Sequence, residues 1–397
     1  MQIGIDIRNI GKKRTGDEAV FFNLVKNLAL IDSKNIYQLF TDISDQETLV
    51  QIKQDLGINS KPNFKITALT TKNKFSWNFW TLPKYLREHP IDLYLTQYIT
   101  PFFVPKKIKI LTIIHDVSFC VFPRMIKFSD LFFLRTLIPL ALKRADKIIA
   151  VSKFTQSEII KYYKTDQGKV NYIYNAVADD FLKQTHSQIE LEKIRQKYSL
   201  PKKFILYLGT LQPRKNLPVL IEAYAKIKEQ LPEMKLVLAG GKGHNYDRNI
   251  DAMIQRCTLK KDEIILPGFI SEEDKKAIML LADCFCFPSL YEGFGIPILE
   301  AFSVGLPCLI SDIAPHREVA KDSALFFTPS NSADLSKKLL KIITEKDLRA
   351  KLLTNEKERL LGFSWEITAK KVHAIFEEFA EDHILANTLT NIEKNVK

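Results

Sequence analysis

Two carboxylates stand eight positions apart in the segment PSLYEGFGIPILEAFSVGLPC, residues 288–308: Glu292 on a turn broken by glycines, and Glu300 inside what reads as a helix. On a single helix they would lie about 12 Å apart, at a rise of about 1.5 Å per residue. Carboxylates that flank one glycosidic bond stand about 5 to 9.5 Å apart, so this pair does not suit glycosidase chemistry. It suits the two ends of one elongated ligand. Between them, Gly293 and Gly295 permit close backbone approach or a positive φ, and Pro297 fits a first helical turn, where its missing donor costs nothing. The free N–H groups at such a helix start favour an anion by geometry and dipole. An ordinary strand-to-helix turn would account for one glycine but not for the acidic pair.

A second segment, GTLQPRKNL at 209–217, carries Arg214 and Lys215 between a strand and a helix. Two adjacent cations suit a diphosphate, Arg by forking two oxygens and Lys as a point charge. Taken alone, the loop reads better as solvated charge. Combined with the glycine turn it assigns the acids: a carboxylate beside phosphate would be repelled, so Glu300, about one turn into its helix, is a partner for ribose hydroxyls. Glu292 then meets sugar hydroxyls at the other end, and the pair spans a nucleotide sugar.

The elements that must position these residues are strands alternating with helices. IGIDI, YQLFT, FKITAL, DLYLTQ, IKILTIIHD, KIIAVS and VNYIYN lie in the first half; FILYLGT, KLVLAGG, EIILPG, DCFCFPS, PCLISD and ALFFTP follow after a charged, strand-free stretch. That alternation predicts α/β architecture, two doubly wound Rossmann-like domains facing each other across a cleft. The expected boundaries are a first domain over 1–183, a linker over 184–201, a second domain over 202–362, a carboxy-terminal helix over 363–383 and a frayed polar tail over 384–397. In open α/β sheets ligands lie beyond the carboxyl ends of the strands. The informative positions are therefore Gly11 to Gly16, His115 and Asp116, Thr210 to Asn216, Gly240 to Gly243, and Ser289 to Gly295.

The chain resembles the large retaining glycosyltransferases of the GT-B fold known as family four. The likeness covers nearly the whole length and rests on the Glu-x7-Glu pair at Glu292 and Glu300, the GTLQPRKNL loop, HD at 115–116, ADKIIAVSKFT at 145–155, NA at 175–176 and FSWEITAKKV at 363–372. The resemblance implies that Glu300 holds the donor ribose, that Glu292 contacts the donor sugar, and that Arg214 and Lys215 clamp the diphosphate and stabilise the leaving group. The backbone from Phe294 through Ile298 to Leu299 would complete the phosphate site, with Gly16, Thr210, Gly240, Gly293 and Gly295 around it. His115 looks like the family's histidine near the donor sugar and acceptor hydroxyl; its other reading is a buried strand-end histidine bonded to Asp116 or backbone. The first loop, KRTGDEAVFF, keeps Thr15 and Gly16 but follows them with Asp17 and Glu18, unlike many members.

The implied activity is retaining transfer of a hexose, mannose first, from a nucleoside-diphosphate sugar to a glycan or lipid-linked acceptor in surface-polysaccharide synthesis, reminiscent of mannosyl- and rhamnosyltransferases. No metal or other cofactor is expected, because Arg, Lys and a helix end can hold the diphosphate and no Asp-x-Asp cluster is evident. A phosphorylase running the same chemistry toward phosphate and a nucleotide-sugar-binding protein without turnover are the other readings. The implied helix over 363–383 crosses back to brace the first domain.

Composition bounds the partners. At 397 residues, 46% hydrophobic and 26% charged, the chain reads as a two-domain globular protein. Its start, MQIGIDIR, enters a strand directly, so no secretory leader is expected. The longest apolar run, LFFLRTLIPLAL at 131–142, is short and carries Arg135, so it reads as a packed helix and not a membrane span. Five scattered cysteines read as reduced core residues, and the expected location is cytoplasmic, on the inner membrane face. Residues 1–183 hold 27 Lys and Arg against 17 Asp and Glu, whereas 184–397 hold 31 against 29. The basic first half, which in the resembled fold builds the acceptor side, suits peripheral contact with an anionic membrane; no nucleic-acid motif accompanies the charge. The aromatic, basic stretch KNKFSWNFWTLPKYLR at 72–87 reads first as core by its helical spacing, with membrane or glycan contact as the other reading. His89, His186, His244, His316, His373 and His383 are isolated and read as surface or capping residues.

Overall fold

A computed structural model describes the backbone of residues 1–12, 16–243 and 245–395, with side chains as far as Glu381 apart from Lys74 and Ser129. Thr15 and His244 lie outside the described residues, as does the side chain of His383. Thirteen strands form among these residues, each at one of the apolar runs that the sequence points to. The first sheet contains β1 (Gln2–Asp6), β2 (Ile36–Thr41), β3 (Phe64–Ala68), β4 (Leu93–Gln97), β5 (Lys109–Ile114), β6 (Lys147–Ala150) and β7 (Val170–Tyr172), in the order β3-β2-β1-β4-β5-β6-β7. The second contains β8 (Lys203–Leu208), β9 (Met234–Ala239), β10 (Ile264–Gly268), β11 (Cys284–Phe287), β12 (Cys308–Ser311) and β13 (Leu325–Phe327), in the order β10-β9-β8-β11-β12-β13. All pairs are parallel.

Parallel sheets carry helices on both faces, so their central strands are apolar throughout. CFCF of β11 and CLIS of β12 are buried at every position, which places Cys284, Cys286 and Cys308 in the core as free thiols. Strand order reverses direction at β1/β4 in the first sheet and at β8/β11 in the second. Those two switch points open the crevices where loops with polar chemistry gather.

Residues 184–201 hold a helix, Gln188–Lys197, opened by a reciprocal capping box between Ser187 and Glu190. It rests on the second domain, where Lys197 and Tyr198 both donate to Asp274, at 2.6 and 2.7 Å. The carboxy-terminal helix runs from Trp365 to Asn395, so the expected end near 383 and the frayed tail beyond it are corrected: the helical backbone continues through residues 384–395. Buried Trp365, Ala369, Val372, Phe376 and Phe379 recur at steps of four and three and form its inward stripe. The stripe crosses to the first domain, where it meets the helix Gly16–Ile31. His373 Nε2 lies 3.0 Å from Asp32 Oδ2, Lys147 pairs with Glu378, and Thr368 donates to the Tyr174 carbonyl at 2.6 Å. One continuous apolar core consequently joins this helix to both sheets, and a second, centred on Trp77, Tyr94 and Ile110, covers the other face of the first sheet.

Two readings of local sequence are revised. The stretch 72–87 is core only in part: a π-helical turn, Trp77–Thr81, rotates successive rings apart, burying Trp77 and leaving Phe75 and Trp80 at the surface. His316, read as a surface or capping residue, is fully buried in the helix Ala314–Ala320 with its Nδ1 3.0 Å from the Ser311 carbonyl. Burial pushes it down to about 4, so it is neutral at physiological pH.

Candidate functional site

The loops after β8 and β11 are tied to one another beside the switch point of the second sheet. Asn216, in the left-handed region at φ 58°, donates through Nδ2 to the carbonyls of Pro288 at 3.1 Å and Pro329 at 2.7 Å. The Leu290 amide donates to the Arg214 carbonyl at 2.8 Å. This bracing sets Arg214 and Lys215 against Glu292. Arg214 Nη1 donates to Glu292 Oε2 at 3.0 Å and to the Tyr291 carbonyl at 3.1 Å, and Lys215 Nζ donates to Glu292 Oε1 at 2.5 Å. Lys215 also lies 5.0 Å over the ring of Phe287.

Burial dominates the electrostatics here. It works against the charge of Glu292, but Lys215 and Arg214 outweigh it and hold the carboxyl at about 2. Burial, with Arg214 beside it, pushes Lys215 down to about 8 although Glu292 opposes the shift. Burial also disfavours the Arg214 charge, yet Glu292 and Asp116 hold its pKa above the ordinary value. At neutral pH the three groups are therefore two cations around one anion, with a surplus positive charge.

Gly293, next to Glu292, packs directly against the first domain. A Cβ on Gly293 would lie 1.7 Å from the His115 carbonyl oxygen, so only glycine fits. The Gly293 carbonyl accepts from Ser152 Oγ at 2.6 Å and from Thr155 Oγ1 at 3.0 Å. Ser152 also caps the helix Lys153–Tyr163, whose first amides, on Lys153 and Phe154, donate to Glu318 at 2.7 and 2.9 Å. The second domain thus grips the amino end of a first-domain helix with a carboxylate, which the helix dipole favours. Gly295, at φ +110°, opens the helix Ile296–Ser303, with Pro297 in its first turn.

Glu300 lies in that helix, buried, and accepts from Lys275 Nζ at 2.6 Å; Lys275 in turn bridges to Glu272 at 2.7 Å. Burial raises Glu300 despite Lys275. Ile298 and Leu299 turn their side chains into the core, and Phe294 sits between Tyr174 and Phe363 with ring centroids 5.8 Å from each. Only their backbone can face a ligand. Gly240 closely approaches the Gly209 carbonyl, which a Cβ would reach at 1.8 Å, so it packs loop against loop. Thr210 is exposed, and its carbonyl accepts from Tyr207 Oη at 2.8 Å. Gly16 begins the helix Gly16–Ile31 beyond β1, with open space where its Cβ would be.

His115 follows β5 and sits 2.8 Å, through Nε2, from Gln97 Oε1 at the end of β4, with the Tyr98 ring at 5.4 Å. Its partner is therefore a side-chain amide and not Asp116, whose Oδ1 accepts from the Ser118 amide at 2.9 Å. A cavity of 420 Å³ opens between the domains here, walled by Ile99, Asp116, Ser118 and Phe122 on one side and by Gln212, Arg214 and Asn245 on the other. Asn245 Nδ2 bridges it, donating to the Met125 carbonyl at 2.6 Å.

Folding thus joins Arg214, Lys215 and Glu292 into one cluster, sets His115 across the Gly293 contact from it, and gives Glu300 a separate lysine. Sequence reading missed Gln97, Lys275, Glu318 and the pair Ser152/Thr155. For the last, the S-x-x-T spacing after a strand was an available helix-start signal; nothing local marks Lys275 or Gln97, whose partners are distant in sequence.

Both halves of the chain are similar to known proteins. Residues 52–181 match the family model described as Glycosyltransferase Family 4, and residues 190–359 match that described as Glycosyl transferases group 1. The serotype-specific mannosyltransferase WbdA of Escherichia coli is 32% identical over 238 residues, 60% of this chain and 29% of that protein. The O-antigen chain mannosyltransferase B of Escherichia coli is 29% identical over 268 residues, 67% of this chain and 69% of that one. The matched region thus spans less than a third of WbdA. Among solved structures, HepE of Anabaena in complex with UDP and glucose superposes with a TM-score of 0.71 at 19% identity, covering 95% of this chain and 100% of that one. The fold is GT-B, and each half of the chain matches a glycosyltransferase family model.

Proposed function

We propose that this chain, a GT-B protein with two glycosyltransferase domains, moves a hexose with retention of configuration from a nucleoside-diphosphate sugar to a glycan or lipid-linked acceptor in surface-polysaccharide synthesis. Mannose is the first candidate, because the relatives WbdA and mannosyltransferase B are named for it. The observation that carries the reading is the buried Arg214–Lys215–Glu292 cluster beyond β8 and β11. Cleavage of the sugar–phosphate bond loads negative charge onto the leaving diphosphate, and preorganised cations in a buried site lower that barrier most. An arriving diphosphate competes for Arg214 and Lys215 and releases Glu292 toward the sugar hydroxyls. The free amides at the start of Ile296–Ser303 add to the anion site. With these groups in place the transfer runs without a metal. Glu300, held by Lys275, takes the ribose. His115, oriented by Gln97, sits on the acceptor side and positions the sugar and attacking hydroxyl. Attack comes from the face of the leaving group, and the Gly293 contact keeps the domains closed against water. Among the described residues no helix is long and apolar enough to cross a membrane, and the basic first half supports peripheral attachment at the inner face.

The test is release of nucleoside diphosphate from a panel of UDP-, GDP-, dTDP- and ADP-sugars, with Arg214→Ala and Glu300→Ala alongside. One active donor, lost in both variants, is the expected outcome. Turnover that requires inorganic phosphate would replace transfer by phosphorolysis, and a donor bound with no release under any acceptor would leave a binding protein.

A further inference from the structure

The outer rim of the inter-domain cavity is aromatic and unpacked. The loop after β4 that supplies Ile99 to the cavity wall continues to Phe102 and Phe103, and Phe102 stacks on Phe79 at 4.3 Å. Phe75 meets Phe133 at 5.1 Å, and Phe133 belongs to the helix Phe128–Arg144, which also lines the cavity. The rings beyond these contacts face solvent: Phe128 is 84% exposed, Phe103 74%, Trp80 66% and Phe132 59%. Ring pairs thus join the three segments, and large exposed rings gathered in this way mark an interaction surface. The helix accounts for part of it by being apolar on two sides, with Ile138, Ala141 and Leu142 in the core while Phe128 and Phe132, one turn apart, point outward.

Charge selects the partner. Segments 72–80, 99–109 and 122–137 together contain eight Lys and Arg and one acid, Asp130. Lys106 and Lys107 are exposed on the segment of Phe103, and Arg124 and Lys127 on that of Phe128 and Phe132. We infer that this lip seats the protein on an anionic lipid bilayer, with its rings at headgroup depth and its cations over the phosphates. The acceptor is then an amphiphile whose lipid stays in the bilayer while its polar end enters the cavity toward Arg214. A bilayer suits the surface better than a protein does, because the rings are spread over three segments and exposed cations share those segments with them, the combination that an apolar–anionic boundary solvates at both levels. The acceptor part of the inference rests on the transfer reading; the surface does not.

The full chain is sedimented with phosphatidylcholine vesicles, with and without added phosphatidylglycerol, at low and high salt. Phe128→Ser/Phe132→Ser and Lys106→Glu/Lys107→Glu serve as variants, and unchanged melting of both shows that they are folded. The wild type partitions onto the anionic vesicles, the aromatic variant about tenfold more weakly, and the charge variant about tenfold or more weakly with a flatter salt dependence. Donor-dependent release without lipid stays at the wild-type rate in both. A wild type that ignores anionic vesicles at low salt, an aromatic variant that binds like the wild type, or tighter binding to a single-stranded RNA oligomer than to vesicles overturns the surface. Vesicle binding without release from any donor removes the transfer reading and leaves the surface standing.

Discussion

Lys215 ties the chemistry of this site to pH. Because burial brings it to about 8, it is charged at neutral pH and loses its proton as the pH rises past that value. Glu292, at about 2, stays ionised across the same range. Donor kcat/KM should therefore hold up to about pH 8 and decline above it, as one of the two diphosphate cations disappears; this limb reports the free enzyme. Lys215→Arg should flatten the limb, and a profile that declines identically in that variant would assign it elsewhere. Removing the forked donor with Arg214→Ala should cost about a hundredfold in donor-dependent release. A second buried acid titrates for stability alone. Glu356, in the helix Lys346–Leu360, has no hydrogen-bond partner for either oxygen among the described residues, and burial pushes it up to about 9 against the pull of Arg349. The folded state thus keeps a proton that the unfolded chain loses near 4.5, so stability is greatest below that pH and falls as pH rises toward 9. By pH 7 the loss amounts to about 3 kcal/mol. Urea midpoints of wild type and Glu356→Gln should separate between pH 5 and pH 8, the variant keeping the higher value at pH 8.

At the scale of elements, the Gly293 turn couples the two domains to the cluster. Its carbonyl is held by Ser152 and Thr155 from one domain, while Glu292 one residue earlier is held by Arg214 and Lys215 from the other. Closure and the placement of Glu292 are therefore one event. Gly293→Ala puts a methyl into the His115 carbonyl at 1.7 Å and should open the cleft while leaving each domain folded. A larger radius of gyration by X-ray scattering, with donor release down about a hundredfold, is expected; an unchanged radius would show that the turn yields instead of the domains. Ser152→Ala/Thr155→Ala removes two hydrogen bonds worth about 1 kcal/mol each and should slow release about tenfold or more.

For the whole molecule, the carboxy-terminal helix is the brace. Trp365, Phe376 and Phe379 bury themselves in the joint core, and His373, Glu378 and Thr368 bond to the first domain. Cutting the chain before Ser364 uncovers the helix Gly16–Ile31 and much of that core, so both melting temperature and donor release should drop. With burial worth about 25 cal/mol per Å², losing three large aromatics alone is several kcal/mol. A truncated chain that melts with the full-length protein would remove the brace from the account of the fold.

The number and place of the strands, the two sheets and the crevice were legible in the chain, because a parallel strand buried on both faces must be a short apolar run and the loops after it must carry the polar residues. RKN after β8 and EGFG after β11 were legible for the same reason. What only the tertiary structure decided is who meets whom. Glu292 lies 77 positions from Lys215, Glu300 is 25 from Lys275, and Gly293 is 141 from Ser152, and no local pattern encodes such pairings. The same holds for the two faces of the helix Phe128–Arg144: an apolar run says that a surface avoids water, but whether a protein core covers it is settled only once the rest of the chain has packed.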